Sequence, residues 1–175
     1  MFAGTVRGSI PFMKLRAYIE TTIPSYLTAW PSRDLIRAAE QKQTALWWAR
    51  REEYELVGSE LLLEECGAGD RDAAAARLAV ISALPMLEQG PDAAALADAL
   101  VRDVPLPPNA VADATHIALA AVHGIELLVT WNCRHIANPI LRPRVEAVCR
   151  AAGYEPPTIC TPAELLGGDD DDAGA

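Results

Sequence analysis

Four residues hold the chemistry this chain can offer: Glu20, Glu65, Asp113 and Asn132. Asp113 sits in the stretch NAVADATHIALAAVHGIELLVTWN, residues 109–132, inside an otherwise Ala/Ile/Leu helix opening near Asn109. A carboxylate there is costly to bury unless a cation or hydrogen-bond donors meet it. Helical spacing aligns it with His116, Ile117 and Ala120, so it is expected to face the sheet edge. Glu65 is the odd residue of ELLLEEC: it falls three and four positions after Leu62 and Leu61, on the apolar face. Glu64 follows Glu60 on the polar face. Glu20 closes the apolar run KLRAYIE and is followed by Thr21, Thr22 and Pro24, which breaks a strand ladder. Asn132 lies just past the apolar run Ile125 to Thr130.

Ligands of open α/β sheets sit outside the carboxyl ends of the strands, where Glu20 and Asn132 are expected. If the sheet gathers all four residues, three carboxylates and an amide oxygen face one another. Like charges that close cannot all stay ionised without a counter-cation. Hard oxygen ligands without a His or Cys cluster suit Mg²⁺ or Mn²⁺ rather than zinc.

The elements that must position these residues follow from periodicity and punctuation. Strands are predicted over Lys14–Glu20, Tyr54–Gly58, Pro85–Glu88, Ile125–Thr130 and Thr158–Cys160. Helices are predicted over Asp34–Glu53, Glu60–Cys66, from Asp70 to about Leu84, and from Pro91 to about Asp103. Two more span Asn109 to before Gly124 and residues 134–151, the latter interrupted at Pro139 and Pro143; Thr161-Pro162 caps a last short one. Ser59 is the expected N-cap of the Glu60 helix, and Pro91 occupies a favourable first-turn position. Strands alternating with helices imply an α/β fold: one three-layer domain, a mostly parallel sheet of about five short strands, helices on both faces.

The 175-residue chain suits one domain and a sizeable core. No apolar run reaches the roughly 18 residues of a membrane span. Residues 1–12 read as an N-terminal extension, 13–166 as the folded domain, and 167–175, GGDDDDAGA, as an acidic disordered tail. Asp169 to Asp172 supply four of the nine net negative charges, so the folded part stays acidic. This argues against an extended nucleic-acid-coating surface but not against a nuclease, whose metal cleft is itself acidic. Cys66, Cys133, Cys149 and Cys160 form no CxxC pair and read as reduced core thiols of a cytoplasmic protein. His116 is expected to be a hydrogen-bonded structural residue, His123 a helix-end partner, and His135 a packing or capping residue. Trp47 and Trp48 read as core or dimer interface.

The same residues resemble the PIN domain family, including its VapC-like toxins. YIETTIPSYL is similar to the family's first-strand motif, SELLLEE to its second acidic motif, ADATHIALA to its third and LLVTWNCRHI to its fourth. The likeness covers about residues 13–165 and has the ETT and TWN forms of a variant branch. It implies a Mg²⁺- or Mn²⁺-dependent endoribonuclease with Glu20, Glu65, Asp113 and Asn132 as catalytic and metal-binding residues. Thr21 or Thr22, and Thr130, would be supporting hydrogen-bond donors, and Arg33, Arg37 and Arg134 candidate phosphate contacts. It further implies an RNA substrate, a small antitoxin partner and a homodimer. Glu20 stands where the family most often has Asp, and Asn132 brings no charge. A PIN-like module binding RNA or protein with weakened catalysis is the alternative these two departures raise.

Overall fold

The computed structural model describes residues 13–107 and 110–167; the predicted extension and acidic tail, apart from Gly167, lie outside them, as does Asn109. Its strands are β1 (Arg16–Ile19), β2 (Glu55–Ser59), β3 (Met86–Leu87), β4 (Leu127–Val129) and β5 (Thr158–Cys160). They form one sheet in the order β3-β2-β1-β4-β5, every pairing parallel. The helices are α1 (Thr22–Thr28), α2 (Leu35–Ala49), α3 (Glu60–Gly67), α4 (Arg71–Ile81), α5 (Pro91–Asp103), α6 (Val111–Val122), α7 (Arg142–Ala151) and α8 (Pro162–Leu166). The fold is thus α/β with three layers, as the alternation of elements required.

Strand side chains alternate between two cores. Tyr18, Val57, Leu128 and Ile159 pack on one face with Leu96 and Leu100 of α5, Ile117 of α6 and Val145 of α7. Ala17, Ile19, Leu56, Val129 and Cys160 pack on the other with Ile23 of α1, Trp47 of α2, Leu62 of α3 and Ile81 of α4. Central strands buried on both faces read as continuous apolar runs, which is why RAYI and LLV carry no polar residue after Arg16. The register sets Tyr18 beside Val57 on one side and Leu128 on the other.

Local capping fixes several boundaries. The Ser59 side chain accepts from Leu62 N, Asp70 from Asp72 N and Ala73 N, and Asp34 from Arg37 N. Thr161 and Glu164 form a reciprocal capping box. Some expected boundaries move. Residues Thr22–Thr28, for which no element is predicted, form α1, with Pro24 in a first turn where its missing N–H costs nothing. The helix from Asp34 stops at Ala49, where Arg50 N turns back to Trp47 O, and a 3₁₀ turn covers Arg51–Glu53. The Ala-rich helix ends at Ile81 rather than Leu84, whose N–H bonds Ile81 O in a tight turn. Residues 134–141 are turns, and helix begins only at Arg142, with Pro143 in its first turn.

Candidate active site

β1 and β4 are neighbours that lead away from the sheet centre in opposite directions, β1 towards β2 and β4 towards β5. This is the switch point at which parallel sheets open a crevice beyond their strand ends. Glu20 follows β1 and is itself only 4% exposed. Its Oε1 accepts from Thr22 N at 3.1 Å, from the Thr22 hydroxyl, and from Thr130 Oγ1 at 2.7 Å, the last reaching across from the end of β4. Thr130 Oγ1 in turn accepts from Asn132 N at 2.8 Å, and Thr22 Oγ1 from Trp131 N at 2.9 Å. The segment after β4 is thereby stitched to the segment after β1.

Asp113, in the first turn of α6, meets this segment. Its Oδ1 accepts from Asn132 Nδ2 at 2.8 Å and its Oδ2 lies 2.6 Å from His135 Nδ1. Asn132 Oδ1 accepts from His135 N at 3.1 Å, closing a ring of three residues around one carboxylate. Glu65 is half-buried on α3, whereas Glu64 is exposed. Its Oε2 accepts from the Thr21 hydroxyl and lies 3.0 Å from His116 Nε2. Asn132 thus joins Asp113 to Thr130 and Glu20 in one hydrogen-bonded network, while Glu65 belongs to a second one through Thr21, the residue after Glu20, and His116.

The charges are unevenly met. Burial pushes the Glu20 carboxyl up, against the opposing influence of nearby His116 and the Thr22 and Thr130 hydrogen bonds. Burial also pushes Glu65 up, but the hydrogen bond and charge of His116, with Thr21, outweigh it and hold the group below the ordinary carboxylate range. Among the described residues, the basic side chains in contact with these acids are histidines only, His116 at Glu65 and His135 at Asp113.

Among the described residues no group of three or more His, Cys, Asp or Glu side chains is placed so that it could hold a metal ion. Carboxylate oxygens are the donor type that a hard dication takes; the hydrogen bonds to Glu20 fall on Oε1 and those to Glu65 on Oε2. The Asn132 amide is turned so that its NH₂ braces Asp113 and its oxygen faces a backbone N–H.

Several residues take roles the sequence did not disclose. His135, expected to pack or cap, pairs with Asp113. His116 is hydrogen-bonded and buried as expected, but bridges Glu65 to the Tyr18 hydroxyl rather than sharing a partner with Asp113. His123, expected as a charge partner at its helix end, meets the Glu88 carbonyl through Nε2 at 3.0 Å. Tyr18 could have been flagged, since the predicted strand Lys14–Glu20 sets it two residues before Glu20 and so on the same face. Arg33, Arg37 and Arg134 are exposed and make no ion pair among the described residues. Cys133 is exposed, correcting the expectation of four core thiols; it follows Asn132 in a turn outside both cores. Trp47 is 1% exposed and packs on Trp48 and Tyr54, so it is core rather than interface. None of the four site residues lines the clefts of about 600 Å³ beside α2 and α8 or about 440 Å³ beside Trp48 and Tyr54.

Compared with known proteins, the chain matches no family model and no curated protein. Among the described residues no helix is long and apolar enough to cross a membrane.

Proposed function

We propose that this protein is a Mg²⁺- or Mn²⁺-dependent endoribonuclease of PIN-domain type that hydrolyses RNA phosphodiester bonds, the toxin of a toxin–antitoxin pair. One observation supports it above the others. A buried Glu20 carboxylate, held by hydroxyls and a backbone N–H, shares a network with Asp113 at the sheet's switch point, Glu65 is tied to the neighbouring Thr21, and among the described residues no Lys or Arg forms an ion pair with the three acids. Such an arrangement calls for a hard cation. The chemistry a bound dication supplies is an acidified water and neutralisation of charge on the phosphate. Glu20, Glu65 and Asp113 would hold it. Thr22 and Thr130 orient Glu20, Thr21 and His116 orient Glu65, and Asn132 with His135 orients Asp113. Arg33, Arg37 and Arg134 are proposed to meet flanking phosphates of single-stranded RNA.

The partners proposed are a small antitoxin and a second copy of the chain, in the cytoplasm. With Trp47 in the core, the apolar residues offered for such contacts are Trp30, Leu35 and Ile36, which are 92%, 86% and 73% exposed. The test of the nuclease reading is RNA cleavage under Mn²⁺ and Mg²⁺ titration. Cleavage is expected to stop with EDTA and to fall at least about a hundredfold in Asp113→Asn, in line with losing a group that acts on the reacting atoms. Undiminished cleavage by that variant would refute it.

The absence of a preformed metal cage among the described residues favours a second reading, a PIN-like module that binds RNA or protein with weakened catalysis. Calorimetry showing RNA binding without Mg²⁺ or Mn²⁺ binding would select it.

A further inference from the structure

Arg142 sits where local rules disfavour a cation. It opens α7, the end at which the helix dipole repels positive charge, and the first turn of that helix holds no acid. Among the described residues it forms no ion pair, and its Nε is buried without a hydrogen-bond partner. A charged N–H group withdrawn from water and left unbonded is costly. Arg150, about two turns further along α7, is matched instead: its guanidinium lies 3.2 Å from Glu146 and 3.5 Å from Glu155.

Both arginines line a cleft of about 210 Å³ between α7 and residues 155–159, which lead into β5. β5 is an edge strand of the sheet. Thr158 N donates to Glu126 O and Cys160 O accepts from Thr130 N, so these two residues direct their backbone groups to β4. Ile159, between them, turns its N–H and C=O to the open edge, where no loop backbone among the described residues bonds them. Its side chain packs in the core beneath α7 with Val145 and Cys149. The cleft therefore offers a peptide donor, a peptide acceptor and an unmatched guanidinium.

We propose that this cleft receives an extended acidic segment of a partner protein, which adds to the free edge of β5 and sets a carboxylate on Arg142. Main-chain bonds to a sheet edge hold such segments, and alternate side chains give the selectivity. The register follows from strand geometry. In an antiparallel pair, the residue that exchanges both backbone hydrogen bonds with Ile159 carries its side chain on the same face of the sheet. For Ile159 that is the face α7 covers, where Arg142 lies. The acid is thus the residue opposite Ile159, and its two neighbours point to the other face. Its charge pairs with the guanidinium and also suits the start of α7. A phosphate group would satisfy Arg142 but leave the Ile159 peptide unmatched, beside the acids Glu146 and Glu155. None of Glu20, Glu65, Asp113 and Asn132 lines this cleft, so binding here is independent of metal and hydrolysis.

The test titrates the full ¹⁵N-labelled chain with acetyl-Thr-Val-Glu-Val-Thr-amide and with its Gln counterpart, following backbone amide and arginine Nε–H signals. Saturable shifts are expected at the Ile159 amide and at Arg142 Nε–H, with the Glu peptide bound about tenfold tighter than the Gln one. In Arg142→Gln the two peptides are expected to bind equally. In Arg142→Lys part of the preference should remain, because an ammonium keeps the charge but not the planar fork. Circular dichroism checks that the variants fold; if Arg142→Gln does not, the wild-type response to the two peptides decides alone. Equal binding of both peptides to wild type, no saturable shift at Ile159, or an undiminished preference in Arg142→Gln overturns the inference. So does inorganic phosphate shifting Arg142 where the Glu peptide does not, which would make this a phosphate site. Shifts at Ile159 and Arg142 on concentrating the protein without peptide would assign the cleft to a second copy, and overturn it too.

Discussion

Glu20→Gln separates the two demands placed on the buried carboxylate. Burial outweighs its hydrogen bonds and raises its pKa, so the fold prefers the neutral form. The sign for stability follows: the native state holds the proton to higher pH than the unfolded chain. Metal-free wild type therefore loses stability as pH rises above the ordinary carboxyl value of 4.5 and through the folded value. Gln imitates the neutral form and accepts from Thr22 and Thr130. Metal-free Glu20→Gln is thus expected to be more stable than wild type near neutral pH, with the difference vanishing once Glu20 is protonated in both states. A dication should invert the order. With free Mn²⁺ about 100-fold above its dissociation constant, binding to the native state alone stabilises by about 2.7 kcal/mol. A chain of this size moves about 2–4 °C per kcal/mol, so the wild-type Tm should rise roughly 5–10 °C. In Glu20→Gln that rise should fall by more than half. The assay is thermal denaturation across pH with and without Mn²⁺. An unchanged Mn²⁺ shift, or a metal-free variant less stable than wild type near neutral pH, would refute the reasoning.

Glu65 should show the opposite slope. Because its pKa is lowered, it contributes stability above 4.5 that is lost as pH falls through the folded value, so Glu65→Gln should flatten the acid limb of a stability–pH curve. Gly58→Ala places a Cβ 2.8 Å from Met86 Sδ and 2.9 Å from Leu62 Cδ2. Both neighbours are flexible side-chain ends, so a loss of about 1 kcal/mol in urea denaturation is expected, the low end of overpacking costs. Thiol labelling of the native protein should modify Cys133 alone. Cys66, Cys149 and Cys160 are buried, with burial pushing their thiols up to about 11, about 11 and about 12.

Much of this molecule was legible in the chain because the signals are local. The bounds of α5, the Ser59 cap, the capping box at Thr161 and the inward turn of Glu65 depend on residues within one or two helical turns. The parallel sheet follows from strands separated by helices, and its fully buried centre from unbroken apolar runs. The sequence thus determined the order of elements and set three acids at strand ends or on apolar helix faces. Only the tertiary structure decided what meets them. Thr130 reaches Glu20 across 110 residues, His116 reaches Glu65 across 51, and His135 reaches Asp113 across 22. Periodicity tells which face of an element a side chain occupies, but not which distant donor lies opposite. That depends on the β1–β4 pairing at the switch point and on the turn after Asn132. The same reason hid α1 and the exposure of Cys133, and left open whether Trp47 was core or interface: each is settled by what packs against the segment.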